Sequence, residues 1–161
     1  MANYTGADVI TASDVTKYQP DAFGFGISTT ATETVNFLAQ TTNDLLRQLR
    51  IEWWPVYKTN IFTDITVLNT AEMVNTKVNL DQFERAGVYL FLGRFYLPAL
   101  TKFRPETEKD RFERMAEYYI SQYNMEWRMI LEDGVEYDVD ADGTIVSNER
   151  EPLHGFRRLI R

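Results

Sequence analysis

Carboxylates alternate with other residues between positions 138 and 142, and one more acid follows at position 149. The stretch reads Asp138-Val-Asp140-Ala-Asp142-Gly143-Thr-Ile-Val-Ser-Asn-Glu149. Alternate acids on a tight loop point to one side, the glycine permits the sharp turn, and a terminal glutamate can bind with both oxygens. Ca²⁺ takes about six to eight oxygen ligands of this kind. The spacing therefore predicts a calcium site whose ligands are Asp138, Asp140, Asp142, the carbonyl of Thr144, and Glu149.

The stretch from 138 to 149 resembles the calcium loop of EF-hand proteins, which places alternate acids before a glycine and a glutamate at its end. Its flanks differ from that family, because Gly134 interrupts an entering helix and Pro152 closely follows the loop. A second interpretation is a β-hairpin that pairs residues 135–137 with residues 144–146 around Asp142-Gly143. Calcium is the one cofactor that the sequence suggests, and both interpretations stay open.

Most other site chemistry is excluded by residue types that the chain lacks. Its 161 residues include no cysteine and a single histidine, His154. Thiol catalysis, thiolate metal sites and paired-histidine acid–base chemistry are therefore ruled out. No serine lies in a G-x-S-x-G sequence, and Gly24-Phe-Gly26 lacks the rest of a dinucleotide-binding loop. We predict that the protein is not an enzyme.

The charge balance and the hydropathy pattern limit the partners. There are 17 basic and 24 acidic residues, a net charge of −7, which argues against a broad basic face for nucleic acid. The most apolar window, residues 86–100, contains Arg94 and is shorter than the roughly 20 residues that span a bilayer. The N-terminus has no basic, apolar leader. We expect a cytoplasmic protein with no membrane partner.

Helical periodicity dominates the rest of the chain. It predicts a mainly α fold: a bundle of three long helices, a short N-terminal helix, a small β-hairpin near the C-terminus and an extended C-terminal tail. The short helix should run from the capping box at Thr11 to about residue 18. The long helices are predicted over residues 31–54, 79–97 and 105–131, with Pro55 ending the first. The β-branched residues 61–68 are consistent with a strand.

Four segments follow from this pattern: an N-terminal arm (1–29), a helical bundle (30–131) with a loop at 55–79, an acidic hairpin or calcium-like loop (132–149), and a C-terminal docking tail (150–161). In the tail, apolar side chains alternate with arginines, which suits a partner groove with acidic edges. A frayed, solvated terminus is the alternative. The predicted docking residues are Phe156, Arg157, Arg158, Leu159, Ile160 and Arg161.

The predicted helices carry more apolar residues than one core face requires. Three helices cannot easily cover this surplus, so we expect it to form contacts between chains. The residues concerned are Phe37, Ile51, Trp54, Tyr118, Met125 and Met129.

The whole chain resembles the head–tail connectors, or adaptors, of tailed bacteriophages. The likeness lies in the helix of 31–54 with its Leu45-Leu-Arg-Gln-Leu49 stretch, the buried helix of 80–97, the helix of 105–131, and the terminal Arg157-Arg-Leu-Ile-Arg161. It covers most of the chain and is architectural. A calcium-like loop before the tail is not a feature which that family requires.

The resemblance implies a structural virion protein. Such adaptors form a ring, commonly of twelve copies, that binds the portal of the DNA-filled capsid and presents a platform to the next neck or tail protein. The tail would then anchor on the portal, and the arm and the 55–79 loop would clasp neighbouring copies. An acidic lumen would let DNA pass without sequence-specific binding. The protein would reside in the virion neck after assembly in the host cytoplasm.

Two other classes of protein fit parts of the sequence. A small calcium-binding protein would use the 138–149 loop as its functional part, and chelation would then alter its structure or self-association. Another phage neck or head-completion component, or a more general helical interaction module, would share the helical pattern.

Overall fold

The computed structural model describes residues 8–101, 110–145 and 149–151, and the protein is mainly helical. The described residues divide into two compact units. The first, which we call the loop unit, contains residues 45–82 and the described residues from 128 to 151. The second, the arm unit, contains residues 8–44 and the described residues from 83 to 127. The predicted boundaries after residues 29 and 131 do not coincide with this division.

The helices and strands are as follows. The α-helices are α1 (Ala12–Tyr18), α2 (Thr32–Glu52), α3 (Trp54–Ile61), α4 (Ile65–Thr70), α5 (Glu84–Leu90), α6 (Leu97–Leu100) and α7 (Arg111–Asp133). Short 3₁₀ turns occupy Ala22–Phe25, Asn75–Lys77 and Leu80–Phe83, and a π-helical segment occupies Phe91–Tyr96. The strands are β1 (Val135–Glu136) and β2 (Arg150–Glu151). Among the described residues, no helix is both long and apolar enough to cross a membrane.

The predicted capping box begins α1. The backbone N–H of Asp14 donates to the Thr11 hydroxyl oxygen, and the Thr11 N–H donates to the Asp14 carboxylate at 2.8 Å. Lys17 Nζ lies 2.6 Å from Asp14 Oδ1 and 3.3 Å from Glu84 Oε1. Burial raises the pKa of Asp14, but the bonds from Lys17 and Thr11 outweigh that effect and hold the pKa below its ordinary value.

The first predicted long helix is divided between α2 and α3. Leu45, Leu46 and Leu49 are buried as the periodicity predicts, whereas Val35 is exposed near the start of the helix. α2 ends at Glu52, and Pro55 stands in the first turn of α3. The prediction that Pro55 ends a helix is therefore wrong. Proline suits a first turn because it lacks the N–H group that has no helical acceptor there.

The predicted strand over residues 61–68 is also wrong, because α4 begins within it. Asp64 precedes α4, and its Oδ1 accepts a hydrogen bond from the Thr66 N–H at 2.8 Å. A side-chain cap of this kind satisfies a helix N-terminus, and it outweighs the weak strand preference of β-branched residues. The 55–79 stretch therefore contains α3, α4 and a 3₁₀ turn.

The second predicted long helix is longer than expected and changes type along its length. Helical structure runs from Leu80 to Leu100, through a 3₁₀ turn, α5, the π-helical segment and α6. In the π-helical segment the Leu97 N–H donates to the Leu92 carbonyl, five residues back. At Gly93, an added Cβ would lie 2.9 Å from Ile120 Cγ1. A neighbouring helix therefore approaches closely at this glycine.

Part of the predicted arm is bound within the arm unit. The Tyr96 hydroxyl oxygen lies 2.9 Å from the carbonyl oxygens of both Ala22 and Ile27. The Phe23 ring packs edge-on against the Tyr96 ring, 5.3 Å between centroids, and Ala22 is buried. The predicted start of the third long helix, at residue 105, lies outside the described residues. Within the described residues, α7 begins at Arg111.

An aromatic cluster fills the core of the loop unit. Trp53 stacks on Tyr57 with ring centroids 4.2 Å apart, and the Tyr137 ring lies 5.3 Å from the Trp54 ring. The Trp54 indole N–H donates to the Ala71 carbonyl at 3.2 Å. Trp54 is only 6% exposed. Its assignment to a contact between chains is wrong, because other segments of its own chain cover it.

The strands form a short antiparallel ladder in which Val135 pairs with Glu151 and Glu136 with Arg150. The predicted hairpin paired residues 135–137 with 144–146, so its register is wrong. The observed pairing leaves a longer loop between the strands, and that loop contains the acidic stretch.

Candidate metal centre

Backbone and side-chain bonds from distant segments hold the base of the acidic loop. The Gln82 side chain donates to the Gly134 carbonyl at 2.8 Å and accepts from the Glu136 N–H at 3.1 Å. The Asp138 N–H donates to the Lys77 carbonyl at 2.9 Å, and the Tyr137 N–H donates to the Glu149 carbonyl at 3.1 Å. The first and last positions of the predicted calcium loop are therefore brought side by side.

Three of the predicted ligands converge inside this loop. One carboxylate oxygen from each of Asp138, Asp140 and Glu149 lies within 4.8 Å of the other two. Asp138 is 1% exposed and Glu149 is 5% exposed, whereas Asp140 is exposed. The group thus has two buried acids and one at the surface, and all three offer the hard oxygen donors that Ca²⁺ or Mg²⁺ binds.

Local backbone conformation produces this convergence. Ala141 and Gly143 adopt the left-handed region, with φ of 62° and 82°, and such residues let a chain reverse tightly. The Gly143 N–H donates to Asp138 Oδ2 at 2.9 Å, across the turn. The Val139 N–H donates to Glu149 Oε1 at 2.9 Å. These two bonds orient the buried carboxylates toward the interior of the loop.

One oxygen of the group is buried without a donor. Asp138 Oδ1 has no hydrogen-bond partner among the described residues, although Oδ2 of the same carboxylate is bound by Gly143. A buried polar atom without a partner costs about 1–3 kcal/mol, and more when it carries charge. The loop therefore contains a buried acceptor whose binding capacity is not used by the surrounding protein.

Basic and aromatic groups lie next to the loop. The Lys77 ammonium donates to the Val139 carbonyl oxygen, and Arg150 lies 3.5 Å from Glu136. The Tyr137 hydroxyl oxygen accepts from the Val74 N–H at 3.1 Å. Burial, together with the nearby Asp138 carboxylate, raises the pKa of Tyr137 above its ordinary value.

One predicted ligand side chain, that of Asp142, does not join the group, and the ligand role of the Thr144 carbonyl stays a prediction. Asp142 Oδ1 accepts from the Thr144 N–H at 2.7 Å, which is a local turn bond, and Asp142 is not among the converging carboxylates. The sequence also gave no indication of Lys77. Its contact with the loop joins positions 62 residues apart, and no local pattern links positions that far apart.

The predicted surface residues differ in exposure. Phe37 is half-buried and stacks on Phe95, 5.9 Å between ring centroids. The exposed members are Ile51 at 64%, Tyr118 at 59%, Met125 at 53% and Met129 at 46%. The predicted docking tail, Phe156 to Arg161, lies outside the described residues.

Comparison with protein-family models, with curated proteins and with solved structures gives no match to this chain.

Proposed function

We propose that the protein is a head–tail connector of a tailed bacteriophage, a structural protein that forms a ring between the portal and the neck or tail. The observation that carries this proposal is the set of exposed apolar side chains on α7. Tyr118, Met125 and Met129 are each about half exposed. The resemblance of the sequence to connector proteins supports the same role.

The positions of these three residues on α7 suit one continuous contact. They are seven and four residues apart, a spacing that places side chains on the same side of a helix. Aromatic residues and methionine are enriched in protein interfaces. A second copy of the chain is the occupant that this proposal assigns to that side of α7, together with Ile51 and Phe37 elsewhere in each copy.

The ring follows from contacts of this type. An interface between two different surfaces of the same chain closes into a ring when its rotation closes. In this proposal the copy number is about twelve, by resemblance to the connector family. The net charge of −7 suits an acidic lumen that repels DNA and lets it pass. The three-helix bundle, the portal-binding tail and the absence of catalysis belong to the same proposal.

Native mass spectrometry over a concentration series tests self-association. We expect large closed oligomers from the unaltered chain and a shift to monomer in the double variant Met125→Glu, Met129→Glu, because two charges would be buried at the interface. Val35→Glu is the matched control, since it replaces another exposed apolar residue outside the predicted contact set. A chain that stays monomeric throughout, or equal disruption by the control, would contradict the proposal.

A calcium-binding protein is the second candidate function, and the converging carboxylates of Asp138, Asp140 and Glu149 favour it. In that case the cation itself would control structure or association. Repeating the same concentration series with calcium and with a chelator separates the two candidates. Assembly that is unchanged by the chelator favours the connector, and assembly or folding that appears only with calcium favours the second candidate.

A further inference from the structure

We propose that Asp138, Asp140 and Glu149 bind one Ca²⁺ ion, and that this ion fastens the two ends of the acidic loop together. The proposal concerns the loop unit alone and does not depend on the connector role. It rests on three observations: the convergence of the carboxylates, a buried oxygen without a donor, and the position of Glu149 directly before β2.

The carboxylates of the loop carry more negative charge than the described side chains around them balance. The three carboxylates carry three negative charges, and one oxygen of each lies within 4.8 Å of the others. Like charges at this separation repel, and burial of two of the acids strengthens the repulsion. Lys77 brings one positive charge to the loop, where its ammonium donates to the Val139 carbonyl. A divalent cation among the carboxylates would balance the remaining charge.

The burial of Asp138 distinguishes this loop from an ordinary acidic turn. Solvent normally satisfies the carboxylates of an exposed turn, but Asp138 is 1% exposed. Its Oδ2 is taken by the Gly143 N–H, and its Oδ1 has no partner among the described residues. A bound cation would satisfy Oδ1 directly, which removes the cost of burying it.

The donor chemistry selects the cation. All three side chains offer oxygen only, and the chain has no cysteine and one histidine, His154. Zn²⁺ prefers sulfur and nitrogen donors. Mg²⁺ is smaller, requires near-octahedral geometry and is seldom held in a cage of protein groups. Several carboxylates on an irregular loop, with solvent access at Asp140, favour Ca²⁺, which tolerates variable geometry and completes its shell with water.

The location gives the ion a structural role. Asp138 directly follows Tyr137, next to β1, and Glu149 directly precedes Arg150 in β2. An ion held by both acids therefore bridges the two ends of the loop, in parallel with the Tyr137–Glu149 backbone hydrogen bond. Because the ladder has only two paired positions on each strand, this bridge would contribute a large share of its stability.

The test uses the full-length chain, freed of metal by a chelator. Native mass spectrometry counts bound calcium, and Tb³⁺ luminescence, sensitised by Tyr137 and the neighbouring tryptophans, gives the affinity by calcium competition. Asp140→Asn removes an exposed ligand and should fold normally, whereas Asp138→Asn alters a buried one. Asp142→Asn is the matched control, because it changes an acid of the same loop that lies outside the converging group.

We expect one calcium per chain, loss of binding in Asp138→Asn, and affinity lowered by at least about tenfold in Asp140→Asn, a difference of about 1.4 kcal/mol. The calcium affinity of Asp142→Asn should stay within about threefold of that of the unaltered chain, which is less than the tenfold loss expected for Asp140→Asn. Circular dichroism checks that each variant is folded. No bound calcium at millimolar concentration, equal affinity for Mg²⁺ or Zn²⁺, or equal losses in Asp142→Asn and Asp140→Asn would overturn the proposal. Binding is measured per chain, so its failure is distinct from failure to assemble.

Discussion

The cluster around Trp54 and the exposed side of α7 contain similar side chains but differ in what covers them. Trp54 contacts Tyr57 and Tyr137 within the loop unit, whereas Tyr118 on α7 is 59% exposed. Helical periodicity assigned both residues to contacts between chains. It could do no better, because periodicity counts apolar positions on one helix and does not identify a covering segment elsewhere in the sequence. For Trp54, the covering segment is the one that contains Tyr137.

Replacing the two residues in turn gives the largest expected contrast. Trp54→Ala should lower the free energy of unfolding by about 3–5 kcal/mol, because it leaves a cavity in the aromatic cluster. Tyr118→Ala should change it by less than about 0.5 kcal/mol. Urea denaturation of the monomer measures both. Equal losses would show that Tyr118 is as well packed within its own chain as Trp54, and the contrast would fail.

The opposite side of α7 offers an intermediate effect. Gly93→Ala would place a Cβ 2.9 Å from both Ile120 Cγ1 and the Ile120 backbone nitrogen, and backbone at that distance cannot move freely. We expect a loss of about 1–3 kcal/mol from overpacking, again by urea denaturation. Gly24→Ala is the control, since nothing lies within 4 Å of its added Cβ. A neutral Gly93→Ala would mean that this side of α7 is loosely packed, like the exposed side.

The smallest effect is expected at a solvent-exposed helix cap, which has neither aromatic packing nor close helix approach. Thr11→Ala should lower the free energy of unfolding by about 1 kcal/mol at neutral pH. Ser13→Ala, two residues further along, should lower it by less than about 0.5 kcal/mol. The pKa of Asp14 is lowered in the folded protein, so its contribution is present above the ordinary carboxyl pKa and is lost as pH falls through the folded value. Denaturation at acidic pH should therefore show a smaller Thr11→Ala effect. An effect independent of pH would contradict the role of the Asp14 carboxylate.

The sequence predicted the features that depend on neighbouring residues. The capping box of Thr11 and Asp14 involves positions three apart, and the buried leucines of α2 follow from the helical repeat. The acids that converge in the structure, Asp138, Asp140 and Glu149, belong to the set that the spacing predicts, and their binding of a cation stays a prediction. For the cap and the leucines the physical cause lies within one or two helical turns, whereas the first and last of the acids lie 11 positions apart in one loop.

The predictions that are wrong concern features that depend on competing local preferences or on residues distant in the sequence. Pro55 is compatible with either end of a helix, and the choice rests on the residues around it. The 61–68 stretch has strand-forming residues, but the Asp64 cap and the absence of a pairing strand in this part of the described chain favour α4. The register of β1 was wrong because Gln82 and Lys77, both distant in sequence, hold that strand and the loop after it. Lys77 was missed for the same reason.

The π-helical segment has a consequence for how the chain tolerates changes in length. Each wide turn takes in one residue more than an α-helical turn, so the segment behaves like a one-residue insertion into an α-helix. Deleting the exposed Arg94 would remove that extra residue, and the Leu97 N–H could still bond the Leu92 carbonyl, then as an ordinary α-helical bond. α6 would therefore keep its direction, whereas the same deletion within a regular helix rotates every later side chain by about 100°. The π-helical segment is thus a place where this helix can lose one residue without turning the part that follows.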